Sequence, residues 1–430
     1  MGAKRGANIG TARRNKAGRS ILSGARPAGL CESRRMNRIS TAERRARLAV
    51  RHHVAAPERV ASMPDVVRGV VCLHATDPST VYLSSWARLQ EPSIDLVDRA
   101  LYEDRELVRM LAMRRTMFVV TVDEAPILHA AASIGVARNE RRRNEQLVEM
   151  LGVEDVKGWL RDAEAATLAA LEARGEATPQ ELAGDVPALR EKVRVNIGKR
   201  YEGEIGLSSR VLLVLAVEGK VVRGRPRGTW ISSQYRWTPV TRWLGRPMPE
   251  LPVDEAQVGL VRRWLGRFGP GTERDIRWWT GWTAAEVRRA LASVEPIEVD
   301  LDGVTGLALA DDLEATPMLE TWVALLPALD PTTMGWQARD WYLGEHKAAL
   351  FDTNGNAGPT IWADGRIVGG WAIRPEGEVV MKLLEDVGHE MTATIEQEAA
   401  RLTEWLRGVS SLPRFPTPLY KELVGGTPVV

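Results

Sequence analysis

The chain has 430 residues, 44% of them hydrophobic and 27% charged, so it is long enough for several globular domains and too apolar to be disordered throughout. Its longest uninterrupted apolar run, residues 211–217, is far shorter than the ~20 residues that a membrane-spanning helix needs. Two cysteines, Cys31 and Cys72, exclude a disulfide scaffold and a cysteine-based zinc finger, and they predict a protein of the reducing cytoplasm.

The net charge of +2 conceals a strongly basic beginning of the chain. Residues 1–35 contain nine Lys or Arg side chains against one acid, Glu32, and they are rich in Gly, Ala and Ser without a periodic apolar face. This composition predicts a disordered basic leader. Two interpretations stay open: an arm that contacts nucleic acid, or a stretch that precedes a natural start at Met36.

Capping signals then predict a succession of short helices. Ser40 to Glu43 forms a capping box that opens a helix through about His53. Asp77 and Pro78 place an N-cap residue before a proline at the first helical position. Further boxes or near-boxes begin at Thr178, Asp254, Thr272 and Thr283.

A β-hairpin is predicted after each group of two or three helices. The paired strands are 107–113 with 116–121, 221–223 with 229–231, and 297–301 with 305–309. A helix-turn-helix followed by a hairpin is the winged-helix motif, in which the hairpin is the wing. The pattern therefore predicts three tandem winged-helix units, which occupy residues 36–154, 155–249 and 250–312.

A different pattern fills residues 313–430. Short strands separated by glycine-containing turns are predicted at 322–326, 348–351, 359–362, 366–374 and 379–384. An amphipathic helix over about residues 390–407 follows, and its apolar face carries Ile395, Ala399, Leu402 and Leu406. We expect a small β-barrel or curled sheet closed by this helix, and an α+β fold class for the whole chain.

The strongest local charge lies in residues 190–246, which contain thirteen Lys or Arg side chains against four Glu. Arg223, Arg225 and Arg227 crowd the predicted tip of the second wing, where they suit contacts with DNA phosphates. A merely solvated charged face is the alternative. Trp230 and Trp237 of this wing are candidates to meet a base, with core packing as the alternative. The candidate DNA-binding side chains are Lys199, Arg200, Arg223, Arg225, Arg227 and Arg236, with Arg114 and Arg115 at the tip of the first hairpin.

No metal or cofactor is predicted. His52 and His53 are adjacent on a helix, so their side chains point apart. His129, His346 and His389 lack ligand-like neighbours in the sequence. A glycine-rich phosphate loop followed by Lys and Ser or Thr is absent from the sequence.

Three stretches of the sequence resemble one family. They are GVVCLHATDP at 69–78 with LSSWAR at 83–88, RFGPGTERD at 267–275 with WTG at 279–281, and PTIWADGRIVGGW at 359–371. In their order and spacing they resemble the bacterial winged-helix DNA glycosylases, the AlkZ- and YcaQ-like family, over about residues 36–407. The resemblance implies three tandem winged helices and a β-barrel arranged around double-stranded DNA. It also implies that a monomer without a metal hydrolytically removes N-alkylated purines.

The family's catalytic signature is Gln-x-Gln or Gln-x-Asp, and the matching triplet here is His74-Ala75-Thr76. The resemblance implies that His74 holds or deprotonates the attacking water and that Thr76 orients it. Asp77 would supply a carboxylate that stabilises positive charge at C1′. A hydrogen-bonded histidine of the core or of a turn is the alternative for His74. An N-cap role is the alternative for Asp77.

Two functions stay open at this point. The first is a monofunctional DNA glycosylase that acts on alkylated or cross-linked DNA, in base excision repair or genotoxin self-resistance, in the cytoplasm at the nucleoid. The second is a non-catalytic winged-helix DNA-binding or regulatory protein of the same fold. A regulator would usually dimerise on paired half-sites, so a monomer favours the enzyme.

Overall fold

The computed structural model describes residues 36–200 and 202–425. The prediction of a disordered leader concerns residues 1–35 and lies outside these ranges. Within them the chain alternates helices with small sheets, which confirms the mixed α and β composition. No helix of the described ranges is both long and apolar enough to cross a membrane.

Residues 36–154 carry the first predicted hairpin. The strands are β1 (Asn37–Arg38), β2 (Leu73–His74), β3 (Leu107–Leu111) and β4 (Met117–Thr121). The helices are α1 (Thr41–Arg51), α2 (Met63–Gly69), α3 (Pro78–Trp86), α4 (Ile94–Asp98), α5 (Ala125–Leu128) and α6 (Ile134–Glu149). β3 and β4 are antiparallel, which confirms the hairpin, and β2 pairs with β4. The sheet order is β2-β4-β3, so β2 is an edge strand.

Residues 155–249 contain two hairpins where the sequence predicts one. The helices are α7 (Val156–Arg174), α8 (Pro179–Asp185), α9 (Leu207–Val217) and α10 (Val240–Leu244). The strands are β5 (Lys192–Val195), β6 (Gly203–Gly206), β7 (Val221–Pro226) and β8 (Tyr235–Pro239). β5 pairs with β6 and β7 with β8, both antiparallel. The predicted return strand at 229–231 is wrong, because Trp230 leaves the hairpin for the core and packs against Tyr82 and Trp405.

Residues 250–312 contain the third predicted hairpin. The helices are α11 (Val253–Phe268), α12 (Glu273–Thr280) and α13 (Ala284–Val294), and the strands are β9 (Ile297–Asp300) and β10 (Thr305–Ala308). β9 and β10 are antiparallel, as predicted. β1 adds to β9 in parallel, with Asn37 opposite Val299. The beginning of the described chain therefore completes the sheet of this segment.

Residues 313–425 form an open sheet. Its strands are β11 (Val323–Leu326), β12 (Thr360–Ala363), β13 (Arg366–Ile373) and β14 (Val379–Leu383), antiparallel and in chain order. The helices are α14 (Asp340–Leu343), α15 (Lys347–Leu350), α16 (His389–Leu406) and α17 (Pro418–Leu423). A closed β-barrel is not found in this segment, because α16 packs against both outer strands, β11 and β14, which do not pair. The predicted strand at 348–351 is also wrong, since α15 occupies most of it.

The predicted helix after the sheet is confirmed as α16. Ile395, Ala399, Leu402 and Leu406 are all buried on its inner face. Several of the largest buried side chains of the protein are tryptophans, including Trp86, Trp264, Trp362 and Trp371. Most of the fifteen tryptophans of the sequence are buried and therefore serve packing.

Threonine caps fix three helix starts in the way that the sequence predicts. At Thr178, Thr272 and Thr283 the hydroxyl accepts the amide three residues on, and the acid at that position accepts the threonine amide in return. At α1 the box is half formed: Ser40 accepts the Glu43 amide at 3.2 Å, but the Glu43 carboxylate binds Arg47. The predicted near-box at Asp254 is wrong, because that residue lies inside α11.

Candidate functional site

His74 lies on the edge strand β2, shortly before α3 begins. Its main chain pairs with Phe118 of β4, and the Phe118 ring packs edge-on against the imidazole at a centroid distance of 5.6 Å. Ala75 prolongs the pairing, because its amide donates to the Met117 carbonyl oxygen at 2.8 Å. As a whole residue, His74 is half-buried.

The surroundings of His74 keep its imidazole neutral. Burial, with a smaller contribution from the Arg114 guanidinium, lowers the pKa of His74 to about 3, although the Asp330 carboxylate acts in the opposite direction. A group with so low a pKa accepts protons poorly near neutral pH. The environment of His74 therefore suits a hydrogen-bonding role better than proton abstraction.

A hydrogen bond joins His74 to Thr76. The Thr76 backbone amide donates to Nδ1 of His74 at 3.4 Å. Because Nδ1 accepts this bond, we assign the proton of the neutral ring to Nε2. An Nε2–H group can hold a water molecule by its oxygen, but it cannot take a proton from that water. Of the predicted catalytic residues, His74 and Thr76 are thus joined through the Thr76 backbone and not through its hydroxyl.

Asp77 has a different environment. It occupies the N-cap position of α3, as the sequence predicts, but its side chain makes no capping bond. Instead, a carboxylate oxygen accepts the Arg414 backbone amide at 2.9 Å, and burial raises the pKa of the group. The cavity beside Asp77 has a volume of about 20 Å³, enough for a single water and too small for a base. This carboxylate is held against the C-terminal segment.

A buried polar network anchors α3 near His74, and the sequence prediction contains none of it. The Arg88 guanidinium donates to both carboxylate oxygens of Asp330, at 2.7 and 2.8 Å, and also to the Thr332 hydroxyl. Ser84 of α3 donates to the same carboxylate at 2.6 Å. His52 bonds the Thr332 hydroxyl from α1. The network therefore ties two helices of residues 36–154 to the loop after β11.

The arginines of the wing formed by β7 and β8 differ in their exposure and in their partners. Arg223 is half-buried, and its guanidinium lies 5.3 Å from the Tyr235 ring and 5.1 Å from the Trp237 ring. Burial lowers the pKa of Arg223 to about 10. Arg225 is exposed but donates to Glu103 at 3.0 Å and lies near Asp98 at 3.8 Å. These contacts hold the wing to the segment around α4.

The other predicted DNA-binding residues are mostly open to solvent. Arg227, Lys199 and Arg200 are exposed, and within the described residues Arg227 has no ion pair. Arg236 is half-buried and bound to Glu176. A cavity of about 380 Å³ lies between this wing, α8 and α9, and Arg227 is among its lining residues.

Neither tryptophan of the wing is available to a base in this structure. Trp230 is 7% exposed and Trp237 is 6% exposed, so the core interpretation holds for both. The helix before the wing, α9, is similarly hidden: Ser209 is exposed, Ser208 and Leu213 are half-buried, and the remaining residues are buried. A helix with so little exposed surface cannot enter the major groove of DNA in this conformation.

The tip of the first hairpin is basic and exposed, as the sequence predicts. Arg114 and Arg115 adopt left-handed backbone conformations with φ of 52° and 62°. The Arg114 guanidinium lies 4.5 Å from the Trp278 ring, and Arg115 pairs with Glu140 at 3.2 Å. The tip thereby touches α12 on one side and α6 on the other.

Across residues 36–200 and 202–425, no group of three or more His, Cys, Asp or Glu side chains is arranged to hold a metal ion. His52 is fully buried and bonds the Arg267 carbonyl through Nε2, whereas His53 bonds the Glu58 carbonyl. The two neighbouring histidines therefore have separate partners, in agreement with their diverging side chains.

Comparisons with known proteins identify the family of the chain. A family model described as DNA glycosylase AlkZ-like matches residues 67–405. The interstrand DNA cross-link repair glycosylase of Streptomyces sahachiroi is 26% identical over 379 residues, which cover 83% of this chain and 94% of the relative. The solved structure of Streptomyces sahachiroi DNA glycosylase AlkZ shares the fold, with a TM-score of 0.64 at 24% identity. It covers 86% of this chain and 98% of the solved one. The family model matches well over half of the chain, which therefore belongs to the AlkZ-like DNA glycosylase family.

Proposed function

We propose that the protein hydrolyses the N-glycosidic bond of alkylated purines in DNA, including purines joined in interstrand cross-links. Membership of the AlkZ-like family supports a glycosylase, and the name of the Streptomyces relative supports cross-linked DNA as a substrate. The observation that carries the proposal is the neutral, half-buried His74 at the family's triplet position, bonded to Thr76.

The chemistry requires little of the protein beyond position. An N-alkylated purine is already cationic, so it leaves readily, and the enzyme must place a water at C1′ while the sugar becomes positively charged. His74 would hold this water through Nε2–H, in the role that an amide side chain has in the family signature. Thr76, whose backbone amide bonds His74, would assist through its hydroxyl. The Asp77 carboxylate would have to break its hydrogen bond with the Arg414 amide to reach the sugar. We therefore assign Asp77 a smaller role in catalysis than His74.

The DNA contacts of the proposal follow the exposed arginines. We infer that Arg227, Lys199, Arg200 and Arg114 bind phosphates directly. Arg115, Arg225 and Arg236 would first exchange Glu140, Glu103 and Glu176 for phosphate. Arg223 would support the wing from within. We further infer that residues 36–154, 155–249 and 250–312 are winged-helix units and that 313–425 is a C-terminal domain. Each of the three units contains a hairpin that follows two or more helices.

The test is excision by the full chain. A duplex with one N7-alkylguanine is incubated with the protein, and abasic sites are cleaved with alkali. A second duplex carries an interstrand cross-link between purines. We expect base release from the first and separation of the strands in the second. Tight binding without release of any base would contradict the proposal.

A non-catalytic DNA-binding protein of the same fold is the second candidate. One observation favours it: the triplet replaces the amide or acid groups of the family signature with a histidine and a threonine. In that case both duplexes would be bound and neither would be cut.

A further inference from the structure

The outer face of α6 carries a row of arginines that form no ion pair with the described part of the chain. Arg138, Arg142 and Arg143 are exposed, and no ion pair involves them in residues 36–200 and 202–425. Arg141 of the same helix points inward and binds Glu164 and Glu218. The helix thus pairs the arginine that packs it against its neighbours and leaves the outer ones unpaired.

The placement of these arginines opposes the stability of the helix. Arg138 and Arg142 are one turn apart, and like charges at this spacing destabilise a helix. Two neighbouring arginines without counterions repel each other in the free protein. A polyanion that covers both side chains turns this repulsion into attraction. The arrangement therefore fits a binding surface better than a structural one.

A groove of about 500 Å³ runs beside this face. Arg138 and Arg142 line one wall, the hairpin tip with Arg114 and Arg115 lines a second, and residues 280–283 at the end of α12 line a third. Four guanidinium groups therefore border one cavity. Arg114 of this groove also lies near enough to His74 to lower the pKa of the imidazole.

The acids of the groove are already engaged. Glu140 is buried and binds Arg210 at 2.7 Å, with Arg115 at 3.2 Å. Glu286 accepts the Thr283 amide at 2.8 Å and the Thr283 hydroxyl at 2.7 Å in its capping box. Neither carboxylate is available to Arg138 or Arg142. The groove therefore keeps an excess of positive charge that needs an external partner.

We propose that this groove binds the phosphate backbone of duplex DNA, as a second contact surface apart from the wing of residues 221–239. This inference rests on the proposed function, because a glycosylase must hold DNA on both sides of the lesion that it opens. Arg138 and Arg142 lie ~6 Å apart along the helix axis, which is far enough for each to contact a separate phosphate of the DNA backbone.

The experiment measures binding of the full chain to undamaged duplex DNA over a range of salt concentrations. Arg138→Ala with Arg142→Ala should weaken binding and flatten the slope of log K against log salt by up to ~0.9 for each lost phosphate contact. The matched control is Arg161→Ala with Arg262→Ala, which removes the same charge from exposed positions on α7 and α11, outside the groove. The control should keep the wild-type slope.

The outcomes separate this inference from the proposed function. If the groove variant and the control both keep the wild-type affinity and slope while the wild type excises bases, the groove does not bind DNA and the inference is overturned. If the groove variant shows the expected change of slope but the wild type releases no base, the inference stands and the glycosylase proposal fails. If the groove variant loses binding to a polyglutamate peptide while its DNA binding is unchanged, the groove receives an acidic protein instead and the inference is overturned.

Discussion

The Arg88 guanidinium and the Asp330 carboxylate form a bidentate ion pair, with Nη–O distances of 2.7 and 2.8 Å, although 242 positions separate them in the chain. Both side chains are 0% exposed. Removing one partner of a buried pair leaves an uncompensated charge in a medium of low polarity. The pair therefore holds α3, and with it the start of the candidate site, against the loop after β11.

Replacing Asp330 should destabilise the whole protein. Asp330→Asn leaves the Arg88 charge without a counterion and should lower the free energy of unfolding by ~3–5 kcal/mol. Urea unfolding followed by tryptophan fluorescence measures the loss. The matched control is Glu103→Gln, which removes the acid partner of the exposed Arg225 and should cost at most ~1 kcal/mol. Equal losses in the two variants would contradict the structural role of the buried pair.

This pair also marks a limit of sequence reasoning. Arg88 and Asp330 belong to distant segments, and neither has a local pattern around it that predicts the other. The capping boxes at Thr178, Thr272 and Thr283 could be predicted, because each depends on residues three positions apart. A hydrogen bond between residues three positions apart can be predicted from the sequence, whereas an ion pair that tertiary packing forms between distant segments cannot.

Tertiary packing also overrides a predicted strand in the second wing. Residues 229–231 have the β-branched and aromatic composition of a strand, yet Trp230 packs against Tyr82 and Trp405 in the core. The return strand therefore starts at Tyr235. For the site, the triplet position of His74 is identifiable from the sequence, but the neutral state of its ring follows from burial and from Arg114, which only the fold supplies.

The low pKa of His74 should make stability depend on pH. The pKa of the folded state, about 3, lies below the unfolded value of ~6.5, so folding favours the neutral ring. This contribution is fully present above pH ~6.5 and is lost as the pH falls from ~6.5 towards 3. Between pH 7 and pH 5, the free energy of unfolding should therefore fall more for the wild type than for His74→Gln. His389→Gln, at an exposed histidine, is the control and should behave like the wild type; equal losses in all three proteins would contradict the assignment.

The wing arginines should differ in their effect on DNA binding. Arg227→Ala removes an exposed cation that forms no ion pair within residues 36–200 and 202–425, so it should weaken binding to every duplex alike and flatten the salt slope by up to ~0.9. Arg225→Ala should change the slope less, because Glu103 already engages this side chain. Titrations at several salt concentrations measure both. A larger change of slope for Arg225→Ala than for Arg227→Ala would show that the wing rearranges on DNA.

Base release from an N7-alkylguanine duplex by two His74 variants distinguishes a histidine that orients water, as we propose, from one that acts as a base. His74→Ala removes the donor and should slow release by roughly 10²-fold or more while DNA binding is kept. His74→Gln restores a donor that cannot act as a base, so it should keep or exceed wild-type activity; Thr76→Ala should cost less than His74→Ala. Loss of activity in His74→Gln as severe as in His74→Ala, with both variants folded and bound to DNA, would contradict the account.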